Sequence, residues 1–392
     1  MSASGPASPE IHGGNLEAAA RRLGCRPGEL LDASASLVPF APPWRLRRAL
    51  GLALAPAALR PYPDRGYAGL RAAIAALHGL DPAWVLPGNG AAELFTWAAR
   101  DAAAAGVSLL PAPGFADYRR ALACWGGQAR SLALPLAWQG AGPLPWPLDA
   151  ELAPGLAPGA AERPSAVADR PEASVLWITN PHNPTGQLWS RASLEPLLAR
   201  HALVICDEAF LSLVPGGEAQ SLRPLLERHS NLVVIRSLTK LFAIAGLRLG
   251  YALAAPERLA RWSGWRDPWP VNSLAAAAGE ALLADRRGYA RWCGRVQGWV
   301  AREGAWLAER IGALEGLVPL PSAANFLLVR GECQGRPVDL EPLRLALERQ
   351  HRILLRDCRS FEGLDASWLR IGLQDRRGNR RLLRALRREL DR

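Results

Sequence analysis

Lys240, in the stretch SLTKLFAIAGLRLGY (237–251), is the only lysine in a chain of 392 residues. Of the 47 lysines and arginines, all but this one are arginine. Arginine serves wherever positive charge or a solvated stem is enough, but its guanidinium stays protonated and cannot act as an amine nucleophile. A primary amine kept at a single position therefore points to covalent chemistry. A desolvated lysine of lowered pKa forms an imine with a carbonyl substrate or with pyridoxal phosphate. The plain alternative is a surface survivor of arginine drift, and the neighbours decide between the two.

A pyridine ring that carries an aldehyde, a phenolic oxygen and a phosphate makes a separate demand with each group. Its nitrogen needs a buried carboxylate to stay protonated, and Asp207, at the end of ALVICDEAF, is the candidate. The phenolic oxygen needs a donor, which the side-chain amide of Asn183 in NPHNPTG supplies from a turn stiffened by proline and glycine. The phosphate needs hydroxyls, a cation and unpaired backbone N–H groups. Ser237 and Thr239 flank the lysine, Arg248 follows, and GNGAAEL sets Gly88 and Gly90 ahead of a helix whose first amides, at Ala91 and Ala92, point outward. Phe115 in PAPGFADY can cover a ring face. Taken singly, each has an ordinary reading: a capping Asp, an Asn-Pro turn, a glycine cap, a core Phe spaced with Tyr118. In the order Asn, Asp, Ser-x-Thr-Lys, Arg, each beside a strand end, they form a constellation for pyridoxal phosphate.

The elements that must position these residues alternate from about residue 84. WVLPG precedes AAELFTWAARDAAAAG, VSLLPAP precedes FADYRRALACWG, SVLWITN precedes SLEPLLARH, and ALVICDEAF and NLVVIRSLTK follow. Short apolar runs alternating with helical stretches predict an α/β fold with a mainly parallel sheet flanked by helices. In that architecture ligands gather at the carboxyl ends of the strands, where Asn183, Asp207 and Lys240 fall. Residues 138–173, rich in Pro, Ala and Gly without a period, read as a long surface excursion. From about residue 285 a long helix, ANFLLVR, LEPLRLALERQH, RILLRD and WLRIGL predict a smaller α+β unit. The expected organisation is an arm at 1–45 joining the small domain, a large ligand-binding domain at 46–284 and a small domain at 285–392.

Bulk properties narrow the function classes. The chain is 49% hydrophobic, enough for a sizeable core. No apolar run approaches the ~20 residues that span a bilayer, and MSASGPASPE lacks the regions of a signal peptide, so a cytoplasmic protein without a membrane partner is expected. The six cysteines are scattered with no C-x-x-C pair, which indicates neither a metal site nor a disulfide framework. A net charge of +11 raises nucleic acid as a partner. The densest basic run, RRGNRRLLRALRREL, places Leu382, Leu383, Leu386 and Leu390 at helical spacing, which reads as one packed face and one solvated arginine face. No nucleic-acid partner is expected.

At these residues the chain resembles the pyridoxal-phosphate-dependent class I and II aminotransferases of fold type I. NPHNPTG, DEAF, SLTKLFAIAGLRLGY and YPDRGYAGLR look like motifs of that family, and the resemblance runs over nearly the whole chain. HGGN, LLDASASLVPF, LPGNGAAEL, ILLRDCRSFEGL and WLRIGL resemble in particular its threonine-phosphate decarboxylase branch, which serves cobalamin biosynthesis and is close to the histidinol-phosphate aminotransferases. The resemblance implies that Lys240 holds pyridoxal phosphate, that Asp207 pairs with the ring nitrogen and that Asn183 bonds the phenolic oxygen. Ser237, Thr239, Arg248 and the Gly90-Ala91-Ala92 loop would hold the phosphate, and Phe115 would stack on the ring. Tyr62 of the YPD motif would reach the phosphate in a partner subunit, which implies a homodimer. Arg370 and Arg356, with His12, Gly14 and Asn15, would bind a substrate carrying both carboxylate and phosphate.

Two positions depart from the pattern. Phe210 stands where the histidinol-phosphate enzymes carry Tyr, and the decarboxylase branch also has Phe; Val38 stands where Asn is usual. The implied reaction is decarboxylation of O-phospho-L-threonine to an aminopropanol phosphate. Histidinol-phosphate-type transamination is the alternative, followed by a non-enzymatic sensor or nucleic-acid binder.

Overall fold

The computed structural model describes residues 13–147 and 174–392. Its main sheet has seven strands in the order Val85–Asn89, Leu249–Ala254, Leu232–Ser237, Leu203–Asp207, Ser174–Thr179, Val107–Ala112, Ala129–Ala133. Six run in one direction, and Leu249–Ala254 is antiparallel to both of its neighbours. The period-2 geometry of a strand sorts side chains onto two faces. Leu176, Ile178, Val204, Cys206 and Val234 join one apolar cluster, while Val175, Trp177, Leu203, Ile205, Val233 and Ile235 join another. Both faces are therefore covered, as the unbroken apolar runs of a parallel sheet require.

Helix Gly90–Ala105 packs on the second face through Leu94, Phe95, Ala98, Ala99 and Ala102. Helices Ala68–His78 and Ser273–Ala284 pack on the first. Asp285 ends the latter and caps the next, its carboxylate accepting from Gly288 N–H, and the chain then runs through the 27-residue helix Arg286–Gly312. Beyond it lies a second, mixed sheet: Leu31–Ala33, Ile353–Asp357, Trp368–Gly372, Phe326–Cys333 and Leu317–Pro319, with Arg336–Pro337 paired to Phe326–Cys333. Leu31–Ala33 enters as a parallel edge strand against Ile353–Asp357, so the N-terminal segment is stitched into this sheet by backbone hydrogen bonds.

The mainly parallel, helix-flanked α/β architecture is as predicted. Four local expectations differ. LGYALA, unassigned in the sequence, forms the reversed strand. SLEPLLARH forms only the short helix Arg191–Leu194 followed by a 3₁₀ turn, Glu195–Ala199, because Pro196 has no N–H for an α-helical ladder. Within 138–173, residues 148–173 lie outside the described structure, and the rest is not all surface. Pro143–Leu144 pairs with Leu188–Trp189, and Trp146 is buried, packed edge-on to Trp189 at 5.2 Å. In the arginine helix, Arg376–Leu390, Leu382, Leu383 and Leu386 are buried as expected, but Leu390, its last residue, is exposed.

Candidate active site

At the carboxyl ends of the central strands a cavity of about 300 Å³ opens between the two sheets. Lys240 lines it from the short helix Leu238–Leu241, which starts immediately after strand Leu232–Ser237. Part of the lysine surface faces the cavity, and protein packs around the rest. Burial lowers its pKa to about 8, helped by the positive charges of Arg370 and Arg248 and opposed by Asp207. The amine lies 5.9 Å from the ring centre of Phe210.

Asp207 ends the adjacent parallel strand and also lines the cavity. Burial pushes its pKa up to about 6, while hydrogen bonds from Tyr118 Oη and Ala209 N–H, at 2.6 and 2.9 Å, pull the other way. Tyr118 also bonds Thr179 Oγ1 at 2.8 Å, which fixes the hydroxyl that holds the carboxylate. A buried carboxylate with a positive partner restored in front of it would regain its ordinary ionised state.

Asn183 sits in the turn after strand Ser174–Thr179 and is buried on the cavity wall. Its Oδ1 accepts from Arg370 Nη1. Arginine only donates, so this contact fixes the amide with its NH₂ group on the other side. Arg370 further donates to the Ser34 carbonyl at 3.2 Å. Burial lowers its pKa to about 10, with Arg356 adding to the shift, which leaves it a cation at neutral pH. Arg356 lies directly opposite it across the antiparallel strand pair, donates to Ser360 Oγ at 2.5 Å and lines the same cavity.

A group with the shape and charge of pyridoxal phosphate fits these residues. At the far end of the cavity the first turn of Gly90–Ala105 contributes Ala91 and Ala92, and Ser237, Thr239 and Arg248 complete a ring of donors. Ser237 Oγ caps its helix and lies 2.7 Å from Thr239 Oγ1. Gly90 has φ +73°, and a Cβ there would meet Arg248 Nη2 at 2.5 Å, so the cradle tolerates no side chain at that position. Gly250 admits none either, since its Cβ would lie 2.8 Å from Ala91 N. Helix amides, two hydroxyls and a guanidinium on one cavity wall could hold a phosphate.

Lys240, Asp207, Asn183, Ser237, Thr239, Arg248, Ala91, Ala92, Phe115, Arg356 and Arg370 are thus brought together, with Gly90 beneath them. Two expected residues, Gly14 and Asn15, are not. His12 lies outside the described residues. Gly14 is exposed and donates its amide to Ser34 Oγ at 3.0 Å, and Asn15 caps helix Leu16–Leu23; it is Gly13 that lines the cavity. Tyr62 is 76% exposed, stacked on Trp269 at 4.3 Å and away from the cavity of its own chain. Val38, the departure from the usual Asn, is buried in the core. Sequence reasoning missed Tyr118 as the partner of Asp207, and Ser34, Ala35 and Ser36 as cavity wall. Tyr118 carried one signal, its place one helical turn after Phe115; the serines carried none beyond a family-like segment.

A nucleophilic amine, a buried carboxylate and a phosphate cradle at the carboxyl edge of an open α/β sheet define an enzyme that works with pyridoxal phosphate. The family model for aminotransferase class I and II matches residues 30–386, and the chain belongs to that family. It is 35% identical to the threonine-phosphate decarboxylase of Salmonella typhimurium over 96% of this chain and 95% of that one. It is 31% identical to the histidinol-phosphate aminotransferase of Stutzerimonas stutzeri over 98% and 95% of the two chains. Among solved structures, the histidinol-phosphate aminotransferase from Clostridium acetobutylicum superposes with a TM-score of 0.77 at 24% identity, covering 92% of this chain and 99% of that one, which establishes the shared fold.

Proposed function

We propose that the protein decarboxylates O-phospho-L-threonine, giving an aminopropanol phosphate for corrinoid assembly, and that it acts as a homodimer. The observation that carries this reading is the pair Arg356 and Arg370, two buried guanidiniums opposite each other on the cavity wall. Two guanidiniums on one cavity wall suit a ligand that brings more than one negative charge. A substrate with both a carboxylate and a phosphate supplies it, and arginine is suited to either group. Phe210 supports the decarboxylase reading over transamination of histidinol phosphate, since no hydroxyl stands there to donate to the phenolic oxygen. So does the 35% identity to a threonine-phosphate decarboxylase.

Pyridoxal phosphate, when bound, supplies an electron sink conjugated to the substrate amine. Asp207 would hold the proton on the ring nitrogen, and Asn183 would donate to the phenolic oxygen with the amide group that Arg370 leaves available. Arg356 and Arg370 would anchor the substrate anions, and the orientation they impose at Cα would favour loss of carbon dioxide over loss of the Cα proton. Lys240, with its pKa near 8, can carry a proton at neutral pH and deliver it to Cα after carbon dioxide leaves. Tyr62, exposed and stacked on Trp269, would contact the phosphate in a second copy of the chain.

The deciding experiment compares release of carbon dioxide from O-phosphothreonine with turnover of histidinol phosphate that depends on a keto acid. Carbon dioxide release without a keto acid is the expected result. Keto-acid-dependent turnover alone would reassign the enzyme as a transaminase.

A further inference from the structure

Asp207 and Glu208 are consecutive carboxylates that face opposite sides of the main sheet. Asp207 meets Tyr118 and the cavity, whereas Glu208 is fully buried on the reverse side, where its Oε2 accepts from Arg236 Nη2 at 2.5 Å and from Ser221 Oγ at 2.8 Å. Its Oε1 accepts from Leu222 N–H at 2.8 Å. Arg236 in turn clamps the half-exposed Glu218 through both terminal nitrogens, at 2.7 and 2.9 Å. Strand alternation explains the arrangement: Ile235 packs toward helix Gly90–Ala105, and Arg236 turns to the other face immediately before Ser237.

We infer that the ion triad Glu208–Arg236–Glu218 is a positioning device for the site, tying the segment that carries Asp207 to the segment that carries Ser237, Thr239 and Lys240. Burying such charges is a poor way to gain stability, since apolar replacements of similar volume often do as well or better. Its place matters instead. Glu208 is the next residue after Asp207, Arg236 the residue before Ser237, and their contact spans the neighbouring strands whose ends must hold the ring nitrogen and the amine in register. A lateral slip of either strand end would have to break a buried charge-assisted hydrogen bond. None of the three residues touches the cavity.

This inference rests on the pyridoxal-phosphate reading of the site. It is tested with Glu208→Gln, Arg236→Lys and, as a milder variant, Glu218→Gln. The measurements are affinity of the apo-protein for pyridoxal phosphate by tryptophan fluorescence, the pH midpoint of the visible absorption band, and the apo-protein melting temperature. In the two buried variants affinity is expected to fall roughly ten-fold or more, the midpoint to move, and Glu218→Gln to show the same changes at about a third of the size. Loss of melting temperature with affinity and midpoint both unchanged would mark the triad as structural and overturn the inference. If neither buried variant folds, Glu218→Gln decides alone: unchanged affinity and midpoint overturn it. Wild-type protein that gives no band removes the cofactor reading itself, and this inference with it, an outcome distinct from a normal band that the variants leave unaltered.

Discussion

The two walls of the cavity are built by different means. The wall from the seven-stranded sheet presents Asn183, Asp207, Ser237, Thr239 and Lys240 at the ends of neighbouring parallel strands, and it offers backbone as well as side chains: the helix start at Ala91 and Ala92, kept approachable by Gly90 and Gly250. The wall from the smaller sheet presents Arg356 and Arg370 from within two antiparallel strands, and what it offers is side-chain charge. The first wall suits a ligand that stays, because fixed amides and hydroxyls lose little freedom on binding. The second suits a ligand that comes and goes, selected by the number and spacing of its negative charges. Breaking one should leave the other legible in experiment.

The largest effect is expected at Lys240. Lys240→Ala removes the amine, so the visible absorption band should vanish and turnover should fall roughly a thousandfold or more. Lys240→Arg should do the same despite keeping the charge; retention of a band by that variant would refute covalent attachment there. Asp207→Asn should come next, with turnover down about 10²-fold or more, because a neutral amide cannot hold the ring nitrogen protonated. A variant with wild-type turnover would show that the first wall does not work through this carboxylate.

Arg370→Ala tests the second wall. Substrate KM should rise by one to two orders of magnitude, in line with about 1.5–3 kcal/mol for a hydrogen bond to a charged group, while the absorption band persists. Loss of bound cofactor in this variant would mean that the walls are not separable and that the contact from Arg370 to Asn183 serves the ring more than the substrate.

The contrast between the walls also decides what could be read from sequence. The first is local: Ser-x-Thr-Lys, the Asp that ends a strand and the glycines before a helix sit in short windows whose chemistry is visible residue by residue. The parallel sheet follows from apolar runs alternating with helical stretches, and the reversed strand Leu249–Ala254 escaped because direction depends on pairing, not on composition. The second wall was reached only through resemblance. Arg356 and Arg370 are two arginines among 46, and nothing in their neighbours distinguishes them until the register places them opposite each other. Asn15 misled for a related reason, since an Asn before a helix is as good a cap as a ligand. Trp146 lay in a stretch whose Pro and Gly content concealed an anchored, buried ring.

The smallest and most discriminating effect concerns Tyr118, which stands behind the first wall and bonds Asp207 without lining the cavity. Its hydroxyl pulls the Asp207 pKa down against the burial that raises it to about 6. Tyr118→Phe removes that bond, so the pKa should rise further, and the apo-protein should need a higher pH before Asp207 is ionised. The sign follows from linkage. A carboxyl whose folded pKa lies above its ordinary 3.8 binds more protons folded than unfolded, so in the apo-protein it favours folding below the ordinary value and loses that contribution as pH rises through about 6. Cofactor binding runs the other way, because the protonated ring nitrogen needs the carboxylate. Wild-type affinity for pyridoxal phosphate should therefore weaken below about pH 6, and in Tyr118→Phe the fall should begin at higher pH, with a loss of about three- to ten-fold at neutral pH. A pH profile that superposes on wild type would mean that Tyr118 only fills space beside Asp207, and that burial alone sets the charge of the first wall.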